Sequence, residues 1–369
     1  MTEPLAPGHP GWQDRARLLV RLALYLLAGA AGGWLARWLG TPLPWMIGPL
    51  VVTAALCISG LLPVRVPDRL RPFGQVVVAS QVGLTFTPQA LERLIALAPV
   101  ILTTALATLV CIFAVALAVA RASGMSLVQS FLAAVPTSPV EAAAIAVEQH
   151  VDPVPVIISQ TLRLSAVVLV LPLTIYLIEG WPDARARSAF SVPFDPVNIL
   201  LLLGCGFAAM HLFRRLHIPN PNFLGPLAAT ALLAVTGYGL PPFPLLVLAS
   251  AQIVLGSWLG STFRRDLLGR AGRIAIMSLV SILSLLLLCS LAAAGIAWLF
   301  GLDWRLVVLG AAPGGVTEMV LTATYLHQDP AIVTAFHLTR IFLFMPNIPW
   351  IVALLARIEH RRAAKGDPQ

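Results

Sequence analysis

The chain alternates between long apolar stretches and short polar segments, a pattern typical of helices that cross a membrane. A helix needs about 20 apolar residues to cross the hydrocarbon core of a bilayer. Six stretches meet this length: 18–38, 94–120, 153–178, 196–213, 274–300 and 331–356. Backbone at membrane depth must form its own hydrogen bonds, so shorter or Pro/Gly-interrupted stretches are predicted to be helical too. These are 42–60, 72–88, 127–149, 220–238, 243–263 and 306–327.

Composition excludes most soluble classes of protein. Of the 369 residues, 58% are hydrophobic and only 11% are charged, whereas soluble domains have about 45–50% apolar and about 25% charged residues. A soluble enzyme, a DNA-binding domain and a disordered regulator are therefore excluded. We predict an all-α polytopic membrane protein that lies in a lipid bilayer. The N-terminus lacks the basic segment of a cleaved signal peptide, so we expect the first apolar stretch to be retained.

The two halves of the chain are related by a shift of 177 residues without a gap. Across 43–86, 15 of 44 positions are identical to their mates, and across 132–163 the count is 10 of 32. Chance matching of apolar residues gives roughly one in ten. Some identical pairs are polar or conformationally special residues: Gly48–Gly225, Pro49–Pro226, Gln75–Gln252, Pro136–Pro313, Glu141–Glu318, His150–His327 and Arg163–Arg340. The sequence therefore predicts an internal duplication.

Arginine placement favours halves of opposite orientation. Of the 24 basic residues, 23 are arginine. If the N-terminus is cytoplasmic and 127–149 and 306–327 are broken, re-entrant segments, most arginines, Arg71 among them, fall on the cytoplasmic side. Full crossing by both segments would move the arginines of 264–273 outside. We therefore predict two inverted repeats, each with five spans and one broken segment.

The predicted organisation follows from these spans. The parts are a cytoplasmic N-terminal segment (1–17), a first membrane repeat (18–180), a linker (181–195), a second repeat (196–357) and a cytoplasmic tail (358–369). The predicted location is the bacterial inner membrane. The sequence leaves homo-oligomerisation open.

The broken segments contain the candidate chemistry. Pro136 and Pro313 are predicted to break their helices, because proline removes a backbone hydrogen bond. The residues after Pro136 are Thr-Ser-Pro-Val-Glu, and those after Pro313 are Gly-Gly-Val-Thr-Glu. Ser138 and Glu141 have the spacing of a capping box at the start of a new helix. In the second repeat Gly315 takes the cap position.

Two interpretations of the buried charges remain open at this stage. Glu141 and Glu318 are either helix caps or the ion site of a transporter, since ionisable groups at membrane depth are costly and usually functional. Arg163 and Arg340 either pair with these glutamates or bind an anionic substrate. Arg340 lies three residues after His337, which places both on one helix face.

Further polar residues complete the predicted substrate- or ion-binding site. Hydroxyl and backbone groups are offered by Thr137, Ser138, Gly314, Gly315 and Thr317. Gln75 and Gln252 either line the pathway or lie in helices that pack closely through Gly83 and Gly260. No metal site is predicted, because the four cysteines and seven histidines are dispersed along the chain. No long basic run indicates a nucleic-acid partner, and no catalytic residue or cofactor is predicted.

These motifs resemble those of the bacterial AbrB membrane-protein family, also called the AbrB-duplication family. The resemblance rests on the duplicated Gly-Pro-Leu segments, the Gln-x4-Ser-x2-Gly-x-Thr-Phe segments and Ala-Ala-Pro-Gly-Gly-Val-Thr-Glu-Met at 311–319. The first repeat departs from the last motif at Thr137-Ser138-Pro139. Family members are named as regulators of gene expression or as ammonia-monooxygenase-like proteins. The family is also similar to inverted-repeat transporters of cations, anions and bile acids.

The favoured function is secondary transport of a small solute or ion, with its site where the two broken segments meet. The alternative is a membrane regulator or sensor that affects gene expression indirectly, as the family name suggests. A membrane monooxygenase is the third hypothesis, but copper chemistry needs clustered histidines. We therefore expect no enzymatic activity.

Overall fold

The computed structural model describes residues 12–62, 64–180, 194–237, 240–263 and 265–364, and all regular structure in these ranges is helical. The first half contains α1 (Trp12–Trp38), α2 (Pro44–Ser59), α3 (Arg71–Gly83), α4 (Pro88–Ser123), α5 (Leu127–Ala134), α6 (Pro139–Glu148) and α7 (Pro153–Glu179). The second half contains α8 (Pro196–Arg215), α9 (Pro221–Val235), α10 (Leu245–Gly260), α11 (Arg265–Phe300), α12 (Trp304–Ala311), α13 (Val316–Tyr325), α14 (Pro330–Phe344) and α15 (Ile348–Ala364).

Six helices are long and apolar enough to cross a membrane, as the sequence predicts. They are Ala16–Trp38, Pro88–Ser123, Pro153–Glu179, Pro196–Arg215, Ile274–Phe300 and Pro330–Glu359. Large apolar side chains on α1 and α11 are exposed, among them Leu27, Trp34 and Leu287. An apolar surface of this extent is costly in water but stable in lipid. The prediction of an all-helical polytopic membrane protein is confirmed.

Several predicted boundaries are wrong, and helix capping explains one of them. The stretch 72–88 ends as a helix at Gly83, and α4 already begins at Pro88. The Thr87 hydroxyl accepts from the Ala90 amide at 3.2 Å, so it caps α4 several residues before the apolar stretch starts. Helix α11 begins at Arg265 and bends at Gly272. Residues 1–11, 181–193 and 365–369 of the predicted terminal segments and linker lie outside the described residues.

The helix boundaries repeat at the spacing found in the sequence. The bounds of α4 and α11, of α5 and α12, and of α6 and α13 each differ by 177 at both ends. Gly60 and Gly237, mates at the same spacing, both have positive φ, 78° and 83°. Glycine adopts this left-handed conformation without strain, which suits the end of a helix. The internal duplication is therefore visible in the structure as well as in the sequence.

The halves pack through glycines that face threonines of the other half. Helix α2 lies against α10, and α9 lies against α3. A Cβ atom on Gly83 would overlap the Thr230 hydroxyl, and one on Gly260 would overlap the Thr53 hydroxyl. Small residues allow helices to approach this closely in a membrane. The close packing predicted for Gly83 and Gly260 is confirmed.

Helices α3 and α10, which are mates in the duplication, run antiparallel to one another. At one end Arg71 lies over the ring of Trp258, 4.3 Å from its centroid. At the other end the Phe243 amide donates to the Gln81 side-chain oxygen at 2.8 Å. The start of α3 therefore lies beside the end of α10, and the end of α3 lies beside the start of α10.

Candidate functional site

Both broken segments are helical hairpins whose two ends lie side by side. The Gln129 side-chain amide at the start of α5 donates to the Asp152 carbonyl after α6, at 2.9 Å. In the second half Gln328, after α13, donates to the Asp303 carboxylate before α12, at 3.1 Å. The two ends of each hairpin therefore lie close together.

The first hairpin restarts its helix with the predicted capping box. The Ser138 hydroxyl accepts from the Glu141 amide at 3.2 Å, and the Glu141 carboxylate accepts from the Ser138 amide at 3.4 Å. These two bonds satisfy amides that a helix start leaves unpaired. Glu141 therefore stabilises the start of α6, and its side chain is exposed.

The second hairpin lacks this capping box. Gly315 occupies the cap position and has no side chain to accept from the helix start. The Glu318 carboxylate folds back over Gly315, where a Cβ atom would overlap its Oε2. The equivalent glutamates therefore differ in environment, since Glu141 accepts from the Ser138 amide and Glu318 lies beside a bare backbone.

Arg163 caps the end of α5 from within the protein interior. Its side chain is 1% exposed. The guanidinium donates to the carbonyls of Ala134 at 3.3 Å, Val135 at 2.7 Å and Thr137 at 3.2 Å. The last carbonyls of a helix have no partner within the helix, and a cation there also meets the negative end of the helix dipole. Arg163 therefore stabilises the break in the first hairpin.

Arg340 performs the same role at the end of α12, with help from a histidine. It donates to the carbonyls of Ala312 at 2.6 Å and Gly314 at 3.1 Å, and its Nη2 lies 2.9 Å from Nδ1 of His337. His337 Nε2 lies 3.0 Å from the Leu309 carbonyl. A carbonyl only accepts, so Nε2 must hold the proton and Nδ1 must accept from Arg340. This contact confirms that His337 and Arg340 share a helix face.

Direct pairing between these arginines and the glutamates is the interpretation that the structure overturns. Among the described residues, no ion pair within 4.0 Å joins Arg163 or Arg340 to Glu141 or Glu318. The physical reason is local, since the carbonyls of each hairpin tip lie closer and already accept from the guanidinium. A sequence shows charges, but it does not show where unpaired carbonyls lie.

The two hairpin tips, α3 and the start of α9 surround one cavity of about 260 Å³. This volume lies just below the range of about 300–1,000 Å³ typical of sites for drug-sized ligands, which suits a small solute. Most of the residues predicted for the site line it: Gln75, Pro136, Thr137, Ser138, Glu141, Arg163, Gly314, Gly315, Thr317, Glu318 and Arg340.

Two predicted residues do not line this cavity. Gln252 lies buried on α10, and its side-chain oxygen has no hydrogen-bond partner among the described residues. Pro313 lies at the break between α12 and α13, where it ends the first helix of the hairpin as expected. Participation of Gln252 in binding stays a prediction.

Sequence reasoning missed three residues at or beside the cavity. Arg71 and Asn222 line it, although Arg71 was assigned a topological role. Gln160 donates to the carbonyls of Leu132 at 2.6 Å and Val135 at 2.9 Å, beside Arg163. The shift of 177 residues places Gln160 opposite His337, so this pair of unlike residues at one position was the available signal.

Comparison with known protein families finds a family whose model covers most of the chain. A family model described as "Transition state regulatory protein AbrB" matches residues 2–179 and, in a second match, residues 63–356. The chain belongs to the AbrB family. The two overlapping matches together cover both repeats of this AbrB-family chain.

Two relatives share most of their length with the chain. It is 26% identical over 370 residues to "Uncharacterized protein YhjN" of Bacillus subtilis, covering 92% of the chain and 94% of the relative. It is 25% identical over 325 residues to "Putative regulator AbrB" of Escherichia coli K12, covering 88% and 93%. These proteins therefore resemble the chain across both repeats.

Proposed function

We propose that this AbrB-family protein is a secondary transporter that moves a small solute or ion across the bacterial inner membrane by alternating access. The observation that carries the proposal is the cavity where the tips of the two hairpins meet buried arginines. Broken helices that meet at a cavity are how many transporters hold a substrate without exposing irregular backbone to lipid.

The proposed topology has two inverted repeats with both termini in the cytoplasm. The antiparallel packing of α3 and α10 supports this arrangement, because equivalent helices of inverted repeats run in opposite directions. Interlocked packing of α2 with α10 and of α9 with α3 gives the two halves a shared core. Alternating access then corresponds to movement of the hairpins and their neighbouring helices against this core.

The glutamates have different roles in this proposal. Glu141 holds the start of α6 through its capping box with Ser138. Glu318 binds the coupling proton or cation, because it lines the cavity and no side chain caps its helix. Arg163 and Arg340 stabilise the hairpin breaks by donating to the carbonyls at the ends of α5 and α12.

Solute-dependent ion flux in proteoliposomes tests this proposal. The purified protein is reconstituted with a trapped pH dye and offered panels of small carboxylates, amines and sugars. We expect one panel to drive proton or cation movement that Glu318→Gln abolishes. Glu148→Gln is the matched control, since Glu148 is exposed near the end of α6 and outside the cavity. Full flux in Glu318→Gln would refute the assignment of this residue.

A membrane regulator is the second candidate, and the names of the matching family and of the E. coli relative favour it. A regulator without transport activity needs a partner protein that responds to the state of the membrane domain. Capture of one defined regulatory protein by the intact chain, with no solute flux in proteoliposomes, would support this candidate. Flux without a partner would support transport.

A further inference from the structure

Arg71 lines the cavity and differs from the other two arginines there in how its donors are used. It is the first residue of α3, is half-buried, and lines the cavity with Glu318. Across the described chain, its guanidinium forms no hydrogen bond or ion pair, in contrast to Arg163 and Arg340. Its charge does interact at longer range with Glu318 and Asp68. Arg71 is therefore free to donate to a ligand.

The guanidinium of Arg71 is nevertheless held in one orientation. Its central carbon lies 4.3 Å from the ring centroid of Trp258, a cation–π contact. The Trp258 ring nitrogen donates to the Asp68 carboxylate at 2.9 Å, which fixes the ring. Stacking occupies one face of the guanidinium and leaves the N–H groups at its edge available. A planar edge of this kind matches a carboxylate.

A second donor beside Arg71 is fixed by a chain of hydrogen bonds. Arg214 donates to the Asn222 side-chain oxygen at 3.1 Å, so the Asn222 nitrogen is the atom that donates to Gln75 Oε1, at 3.2 Å. This order makes Gln75 Nε2 a donor. No described residue accepts from that nitrogen, although Gln75 is only 6% exposed and lines the cavity.

The duplication does not repeat this cluster, which combines Arg71 and Gln75 of the first half with Trp258 and Asn222 of the second half. The mates of Arg71, Trp258 and Asn222 at 177 residues are Leu248, Gln81 and Trp45, none of which is cationic. The duplication therefore does not require this cluster. Because the cluster occurs only once in the duplicated sequence, it indicates a role that belongs to the ligand rather than to packing.

The formal charge of the cavity lining also favours an anionic ligand. Arg71, Arg163 and Arg340 line it together with Glu141 and Glu318, so the formal charge of the lining is one positive. A singly charged anion neutralises that lining, whereas a cation adds to it. Charged groups at membrane depth are strongly favoured when they are paired.

We propose that Arg71 and Gln75 bind the carboxylate of a small organic anion in this cavity. The proposal rests on the transport function above and names its substrate class. Arg71 donates from its free edge, Gln75 donates from Nε2, and Trp258 positions Arg71. Glu318, which also lines the cavity, remains available for the coupling ion.

Ligand-dependent thermal stabilisation of the purified full-length protein tests the proposal. Lactate, succinate and benzoate are compared with chloride, ethylammonium and glucose at matched ionic strength. A carboxylate that binds the folded state raises the unfolding temperature. In Arg71→Gln we expect that ligand to bind about tenfold or more weakly, because a charge-assisted hydrogen bond is lost. Arg65→Gln is the control, since Arg65 pairs with Asp68 at 3.2 Å and lies outside the cavity.

Each outcome decides the proposal. A carboxylate shift that is lost in Arg71→Gln and kept in Arg65→Gln supports it, and partial recovery in Arg71→Lys supports a role for charge. No shift with any carboxylate, or an equal shift in Arg71→Gln, overturns it. If carboxylates fail but an amine or sugar drives flux that requires Glu318, the substrate class is wrong and the transport function stands.

Discussion

Arg340 donates to Nδ1 of His337 at 2.9 Å, so one residue that caps a hairpin helix is itself held by a histidine one turn earlier. The same imidazole donates from Nε2 to the Leu309 carbonyl at 3.0 Å. In the first repeat Gln160 takes this position and donates to Leu132, the mate of Leu309. An amide in the first repeat and an imidazole in the second thus donate to equivalent carbonyls, those of Leu132 and Leu309.

Replacement of His337 tests this support. His337→Phe keeps an aromatic ring but removes the donor to the Leu309 carbonyl, so we expect a loss of about 1–3 kcal/mol in the free energy of unfolding. His337→Gln should lose much less, because Gln160 makes the equivalent bond in the first repeat. Thermal unfolding in detergent measures both variants. Equal losses would show that the carbonyl contact has no energetic weight.

Exchange of the cap residues between the repeats tests the difference between the glutamates. Gly315→Ser introduces the residue found at Ser138 and displaces the Glu318 carboxylate from its present position. We expect ion-coupled flux to fall strongly while stability changes by only a few tenths of a kcal/mol. The reverse variant, Ser138→Gly, should keep coupled flux. Unchanged flux in Gly315→Ser would mean that the position of Glu318 is unimportant.

The contact between Gly83 and Thr230 predicts a strong effect of one methyl group. A Cβ atom on Gly83 overlaps the Thr230 hydroxyl and approaches the Leu227 carbonyl. Gly83→Ala should therefore destabilise the fold by about 1–3 kcal/mol, the usual cost of overpacking. Gly204→Ala is the matched control, since nothing lies within 4 Å of the added atom. Thermal unfolding should show stabilisation or no change in Gly204→Ala.

The carboxylate of Asp303, just before the second hairpin, should make the stability of the protein depend on pH. Arg305 donates to its carboxylate at 2.6–3.1 Å and holds the pKa of Asp303 below its ordinary value. A lowered folded-state pKa gives stability that is present above the unfolded-state pKa, about 3.9, and is lost as pH falls through the folded-state value.

Asp303→Asn should therefore destabilise the protein at pH 7, and the difference from wild type should shrink as the pH falls below about 4. Unfolding temperatures across pH measure this convergence. In the Arg305→Gln background, the stability difference caused by Asp303→Asn should depend much less on pH. Arg305 is the main cause of the lowered pKa of Asp303, and this variant removes it. A difference that grows in acid would have the wrong sign for this interpretation.

The breaks at Pro136 and Pro313 and the capping box of Ser138 were predictable because each depends on neighbouring residues in the sequence. The partners of Arg163 and Arg340 were not predictable in this way, since every residue has a backbone carbonyl and only the folded chain shows which carbonyls lack a partner. Arg71 was missed for a different reason. Counting arginines by side assigns one role to all of them, whereas in the folded chain Arg71 lines the cavity and stacks on Trp258.

Access to the hairpin tip from each side of the membrane tests alternating access most directly. Cys205, the exposed native cysteine, is replaced by alanine, and Ser138→Cys places a thiol at the cavity. In vesicles of defined orientation, we expect a membrane-impermeant thiol reagent to modify this position from either side, in proportions that shift with a transported solute. Modification from one side only, under every condition of solute and pH, would contradict the proposed transport cycle.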